Sequence, residues 1–186
     1  MDDFISKVAM NLVKGEPASK GLSSASVAVI LRAGEPASVL LIKRAERPGD
    51  PWSGQIALPG GKASINDRTH RDTAMRETFE EVGIDLGARA EFLGYGKATT
   101  THTGTMEVVP AVFELKVGVE VKPNDEVASY RWVGVQEFYA PRARSVHKFE
   151  SQGRTMEMPA YLVGDYVVWG LTHRVLSSVL VDAQGA

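Results

Sequence analysis

The chain contains no cysteine. That excludes a disulfide scaffold, a cysteine-based zinc site and thiol catalysis. Any bound metal must then sit on oxygen or imidazole ligands. No apolar run approaches the roughly 20 residues needed to span a bilayer. The segment MDDFISKVAMNLVKGEP opens with two acids and lacks a basic segment followed by a continuous apolar stretch, so it does not read as a signal peptide. An excess of either charge is missing too: 21 Lys and Arg face 23 Asp and Glu, a net charge of −2. A protein that coats nucleic acid is usually clearly basic, so duplex binding is not expected. Internal repeats and low-complexity segments are also lacking. These absences point to a cytoplasmic enzyme or binding protein with neither membrane nor nucleic acid as partner. What remains is ordinary for one globular domain over 1–186: 44% hydrophobic and 24% charged residues. A chain of this length buries a sizeable core without staples.

Within residues 1–14, Phe4, Ile5, Val8, Leu12 and Val13 recur at helical spacing from residue 3 onward, and Gly15-Glu16-Pro17 ends the pattern. Ala18–Ser24 reads as a linker. Strand-like segments at 25–32 and 37–43 flank a turn signal, Ala33-Gly34-Glu35-Pro36, and predict a hairpin. Residues 45–61 are dense in Gly and Pro and predict a shaped loop around one short strand, 55–58. A polar loop, 62–68, leads into a helix over about 69–82, with Gly83 placed for a left-handed C-cap. Strands are predicted at 90–96, 106–116 and 128–133, and an irregular basic stretch at 141–148. A second hairpin spans 154–168 with Gly164-Asp165 at its tip, followed by a helix over 169–182. Trp132 reads as core, and Trp169 as packing the last helix onto the sheet. Many strands with few helices predict an α/β or α+β sandwich.

The most informative segment is Thr73–Gly83, TAMRETFEEVG. With Glu77 at 0° on a helical wheel, Glu80 falls at about 300° and Glu81 at about 40°. Met75, Phe79 and Val82 point the opposite way, so that side is expected to be buried. One reading of the acids is a solvated face; the other is a metal site. Two features argue for the metal. Glu77 and Glu81 form a like-charge i,i+4 pair that costs stability when uncompensated. The acids also lie in the second half of the helix, where the macrodipole disfavours them. A clustered all-oxygen site suits Mg²⁺ or Mn²⁺. Ahead of the helix, Pro59-Gly60-Gly61 allows close backbone approach, and a carbonyl there offers another hard oxygen.

These residues resemble the box of the Nudix hydrolases: G, five residues, E, seven residues, then R-E-U-x-E-E-x-G-U. Here Gly61, five residues and Asp67 are followed by eight residues and Arg76-Glu77-Thr78-Phe79-Glu80-Glu81-Val82-Gly83-Ile84, so the box spans 59–84. Asp67 stands for the usual Glu, and Thr78 where an aliphatic is usual. The longer spacing, together with Leu40–Ala45, Gly54–Gly61 and Val168-Trp169-Gly170-Leu171-Thr172, resembles the coenzyme A pyrophosphatase branch. Asp50 occupies a position where that branch has Arg.

The resemblance implies a Nudix-like α/β/α sandwich with a mixed β-sheet, and metal-dependent hydrolysis of a nucleoside diphosphate derivative. Coenzyme A or its derivatives come first, giving 3′,5′-ADP and 4′-phosphopantetheine; ADP-ribose, a sugar nucleotide or a dinucleotide is the alternative. A non-catalytic sensor of the same fold is a further reading. By the same resemblance, Glu77, Glu80 and Glu81 are the metal ligands, with the Gly61 carbonyl beside them. Glu80 or Glu81 bridges the metal and the attacking water, and Arg76 holds a carboxylate in place. Asp67 braces the loop or the helix start. Glu126 is an accessory base or an exposed strand-edge acid, and His102 faces the site or solvent. Lys43, Arg44, Arg47 and Lys62 either grip phosphates or solubilise, with Arg44 first among them. Trp52 stacks on a base, lines the pocket or anchors its loop. The N-terminal helix either covers the sheet or supports a homodimer.

Overall fold

The computed structural model describes residues 3–18, 23–50, 52–101, 104–151 and 154–181. In chain order the elements are α1 (Asp3–Met10), β1 (Ser23–Arg32), β2 (Ser38–Arg44), β3 (Ile56–Ala57), β4 (Gly60–Lys62), α2 (His70–Val82) and α3 (Leu86–Arg89). They continue with β5 (Ala90–Tyr95), β6 (Thr99–Thr100), β7 (Met106–Leu115), β8 (Val127–Gly134), β9 (Arg144–Ser151), β10 (Arg154–Val163), β11 (Tyr166–Trp169) and α4 (Gly170–Val181).

β1 runs through the middle of a mixed sheet ordered β3-β2-β1-β7-β5, with β4 also pairing β1, β6 pairing β7 and β8 pairing β2. β1 and β7 are parallel over ten residue pairs, Ser23↔Met106 to Arg32↔Leu115; the other pairings are antiparallel. A strand covered on both faces reads as a continuous apolar run, and Ala25–Leu31 is buried throughout. Ala28, Ile30, Leu40, Ile42 and Phe113 pack under α2 and α3. Val27, Val29, Leu31, Val39 and Leu41 pack under α1, α4 and the small sheet β9–β11. The sheet thus lies between helical layers, as the resemblance implies.

The 25–43 hairpin, the 154–168 hairpin and the Gly83 cap of α2 form where expected, and Thr69 caps the other end of that helix. Thr69 accepts the Asp72 N–H at 3.1 Å. Gly83 takes φ 69° and returns its N–H to the Phe79 carbonyl at 3.0 Å. A second brace at the start of α2 comes from far away in sequence. Glu16 accepts the His70 N–H at 2.7 Å and also meets the His70 ring and the Tyr95 hydroxyl. His70 Nε2 in turn lies 2.8 Å from Ser24 Oγ.

Several expectations need correction. The buried side of α2 is not Met75, Phe79 and Val82 together: Phe79 is 60% exposed, while Ala74, Thr78, Glu81 and Val82 are buried. Small side chains at 74 and 78 let the helix lie close to β1, and this rotates Glu81 inward. The helix in 1–14 ends at Met10, because Val13 leaves it to exchange backbone hydrogen bonds with Tyr95 at 2.9 and 2.8 Å. The 141–148 stretch is not irregular. A short 3₁₀ turn, Pro141–Ala143, leads into β9, which pairs with β10; the partner strand decides what composition did not. Trp169 stacks on His147 at 4.3 Å instead of pinning α4. Trp132 is only partly buried, with Arg32 4.4 Å above its ring. Part of the 18–24 linker lies outside the described residues, and Ser23-Ser24 already belong to β1.

Thr78 is fully buried and its hydroxyl has no hydrogen-bond partner among the described residues. An unpaired buried hydroxyl destabilises, so Thr78→Val is expected to raise stability by about 1 kcal/mol. Denaturant unfolding of the two proteins measures the difference, and a less stable variant would reveal a partner for the hydroxyl.

Candidate active site

The site forms where the glycine strand β4 passes over the C-terminal half of α2. β4 pairs with β1 through Val27↔Gly60, Ser26↔Gly61 and Ala25↔Lys62, and this fixes the height of the glycines above the helix. The Gly60 N–H donates to Glu81 Oε2 at 2.9 Å. Gly61 lies against Glu77 so closely that an added Cβ would come 2.5 Å from the carboxylate carbon. Only glycine leaves that space. The expected approach of a glycine turn to the acids therefore exists, at both Gly60 and Gly61.

Arg76 organises the rest. Its Nε and Nη2 donate to Asp67 at 3.1 and 2.9 Å, and its Nη2 to the Lys62 carbonyl at 2.9 Å. Its Nη1 donates to Glu77 at 2.8 Å and lies 3.3 Å from Glu80. The residue expected to hold one carboxylate holds three. Asp67 also accepts from the Ser64 N–H at 2.8 Å and the Thr73 hydroxyl at 3.0 Å, so it braces the loop and the helix start together. These bonds, Arg76 foremost, bring the Asp67 carboxyl down to about 2.

Glu81 and Glu77 are pushed the other way. Burial raises Glu81 to about 7 against the pull of the Gly60 N–H, and the Glu77 charge adds to the rise. Burial also raises Glu77, opposed by Arg76. Glu80 is the exposed member of the trio. In this arrangement Glu77 and Glu80 turn to Arg76 and Glu81 to Gly60; among the described residues, no three acidic or histidine side chains meet at one point. The donor set nonetheless suits a hard divalent ion. The buried Glu81 and half-buried Glu77 carboxylates repel each other beside a glycine backbone, and a cation between them removes both the repulsion and the desolvation penalty.

The flanking residues divide. Glu126 lies within electrostatic reach of both Glu77 and Glu81 and pairs with Arg47 at 3.5 Å; Arg47 also reaches the Asp125 carbonyl at 3.1 Å. The Arg44 charge acts on Glu81, while its Nη2 is held by Asp50 at 2.9 Å and its Nε is buried with no partner among the described residues. Asp50, at the branch's Arg position, thus anchors Arg44; alternation and spacing carry no signal for that. Lys62 contributes its carbonyl, and its side chain is exposed. Trp52 is 54% exposed, which excludes a buried loop anchor. His102 lies outside the described residues.

The NUDIX domain family matches residues 22–150. The chain is 28% identical over 188 residues to a Nudix hydrolase, NudL, of Photorhabdus laumondii, covering 99% of this chain and 98% of that protein. It is 56% identical over 120 residues to an uncharacterized protein of Schizosaccharomyces pombe, covering 61% of this chain but only 36% of that protein. It is also 31% identical to the chloroplastic Nudix hydrolase 22 of Arabidopsis thaliana, where it spans 47% of the relative's length. Among solved structures, a MutT/nudix family protein from Enterococcus faecalis shares the fold with a TM-score of 0.52 at 19% identity, over 92% of this chain and 71% of that one.

The depressed Asp67 carboxyl stabilises the folded state wherever it is ionised. That stabilisation is complete above the ordinary aspartate range and fades as pH falls from about 4 toward about 2. Asp67→Asn is expected to lower stability near neutrality by about 2 kcal/mol. Urea unfolding from pH 7 to pH 3 should show the gap narrowing; a gap independent of pH would mean that the ionised Asp67–Arg76 pair is not its source.

Proposed function

Because the chain belongs to the Nudix hydrolase family, we propose that the α2 carboxylates and the glycine turn cleave the diphosphate of a nucleoside diphosphate derivative, coenzyme A or one of its derivatives first. The observation that supports this most is the seating of Glu77 on Gly61 and of Glu81 on Gly60. Two acids are held there, at some cost in stability, where a surface helix has no need of them. No membrane-length apolar helix occurs among the described residues, in keeping with a cytoplasmic, water-soluble substrate.

Glu77, Glu80, Glu81 and the Gly61 carbonyl would hold Mg²⁺ or Mn²⁺. When bound, the ion neutralises phosphate oxygens and lowers the pKa of a bound water. The side chains do the positioning. Arg76 keeps Glu77 over Gly61 and holds Glu80 only loosely, at 3.3 Å, so Glu80 is free to turn toward an incoming ligand. Glu81 Oε2 is fixed by the Gly60 N–H, leaving Oε1 to take up or release a proton. A carboxyl raised to about 7 is suited to that near neutral pH. Glu126, beside both acids, is the outside candidate for the base. Arg44 and Arg47 flank the turn as cations for the diphosphate, and exposed Trp52 offers a face to a base.

Three experiments test this reading. A substrate panel with Mg²⁺ should show cleavage within the diphosphate, with coenzyme A giving 3′,5′-ADP and 4′-phosphopantetheine; faster turnover of ADP-ribose would reject coenzyme A as first substrate. Glu81→Gln should lower kcat by at least about 100-fold. The raised pKa also means that ionised Glu81 destabilises the metal-free fold increasingly as pH rises from about 4.5 to about 7. The same variant should therefore be more stable at pH 8, by about 2–3 kcal/mol. Unchanged kcat would remove Glu81 from the mechanism. Gly61→Ala should leave the melting temperature nearly unchanged, because Glu77 can swing away, but should weaken activity by at least about tenfold. A fully active Gly61→Ala would show that the seat of Glu77 is irrelevant.

A further inference from the structure

The small sheet β9–β11 has two unlike faces. Directly opposed residues of antiparallel strands share a face, so the registers assign every side chain. One face carries Tyr161, Val163, Tyr166 and Val168, all buried in the core. α4 lies on that face, with Tyr161 Oη 2.9 Å from Ser177 Oγ. Where the β9–β10 hairpin runs on past the core, the same face becomes polar: Lys148 pairs with Glu157 at 2.8 Å, and Thr155 donates to Glu150 at 2.6 Å.

The opposite face holds His147 and Phe149 of β9, Met156 of β10, the Leu162–Val167 cross-strand pair and Trp169. Of the paired positions on it, the charged one is Arg154, opposite Ser151 at the far end of the hairpin. Leu162 is 44% exposed, and Val167 and Met156 are each 36% exposed. The three rings are shielded chiefly by one another: Trp169 is 4.3 Å from His147 and 5.1 Å from Phe149. A contiguous aromatic and aliphatic face whose paired charge is confined to its end, at Arg154, marks an interaction surface. β9 is also the outermost strand of its sheet among the described residues, an edge able to accept another strand.

We propose that a second copy of this chain covers this face, with β9 pairing antiparallel to its own copy across a twofold axis at Phe149. The charge order of Lys148-Phe149-Glu150 selects that occupant and that register. With Phe149 on the axis, Lys148 stands opposite the Glu150 of the second copy and Glu150 opposite its Lys148, both on the polar face. The two Phe149 rings meet on the apolar face. Both kinds of cross-strand pair are stabilising, and the twofold makes the charge pair twice. Moving the axis by one residue sets Lys148 or Glu150 against itself, which is repulsive. The apolar faces of the two small sheets then join into one surface of six strands.

Sedimentation velocity across the micromolar range tests this without reference to catalysis. The wild-type chain should dimerise. Lys148→Glu and, separately, Glu150→Lys should each weaken association by about tenfold or more, with circular dichroism confirming that each remains folded. The double exchange, Lys148→Glu with Glu150→Lys, should restore it. A wild-type chain that stays monomeric overturns the proposal. So does a dimer that ignores the single exchanges, or one that the double exchange does not rescue.

Discussion

One guanidinium holds the site together. Arg76 is bonded to Asp67, Glu77, Glu80 and the Lys62 carbonyl. It joins the loop after the glycines, the start of α2 and two of its acids in one network. Without that cation, Glu77, Glu80 and Glu81 are three like charges on barely more than one turn of helix, an arrangement that isolated helices disfavour. Asp67 completes the arrangement from the other side. Its carboxyl, held well below the usual range, keeps Arg76 from being drawn wholly to the glutamates. The extra residue between Asp67 and Arg76 is accommodated because Asp67 bonds Ser64 and Thr73 as well, closing the longer loop on itself.

The rest of the scaffold sets the distance between α2 and the glycine strand. β4 is fixed by pairing with β1, which is fixed in turn by ten parallel pairs with β7. α2 is held at its start by Glu16, Tyr95 and Thr69, and at its end by Gly83 and by the Asn124 N–H on the Glu81 carbonyl at 2.9 Å. Ala74 and Thr78 then allow the close approach that brings Glu81 beneath Gly60. The buried, unpaired Thr78 hydroxyl and the half-neutral Glu81 are both unfavourable for folding. They lie within one turn of each other, where function and stability make opposite demands.

Much of this was legible in the residues. Strand-like runs and turn signals located the two hairpins, Gly83 marked the end of α2, and the acid spacing with its glycine turn pointed to the site. These features are local: capping, turn geometry and helical periodicity act over a few residues, so their chemistry is written in adjacent letters. The face of α2 that is buried was misread, because Phe79 is apolar yet exposed and Glu81 is charged yet buried. Which face a helix presents depends on the side chains that let it approach a neighbour, and hydrophobicity alone does not encode that.

Tertiary structure alone decided the remainder. Glu16 meets His70 and Tyr95 across 54 and 79 residues of chain, Asp50 ties down Arg44, and Glu126 comes within reach of Glu77 and Glu81. β9 became a strand because β10 lay beside it. In each case two groups far apart or unremarkable in sequence are brought together by sheet registry. The sequence by itself determined the family, the carboxylate helix and the glycine turn. The folded chain determined which acids are buried, which cations are already engaged and where the apolar face lies, because burial and pairing are properties of neighbours in space.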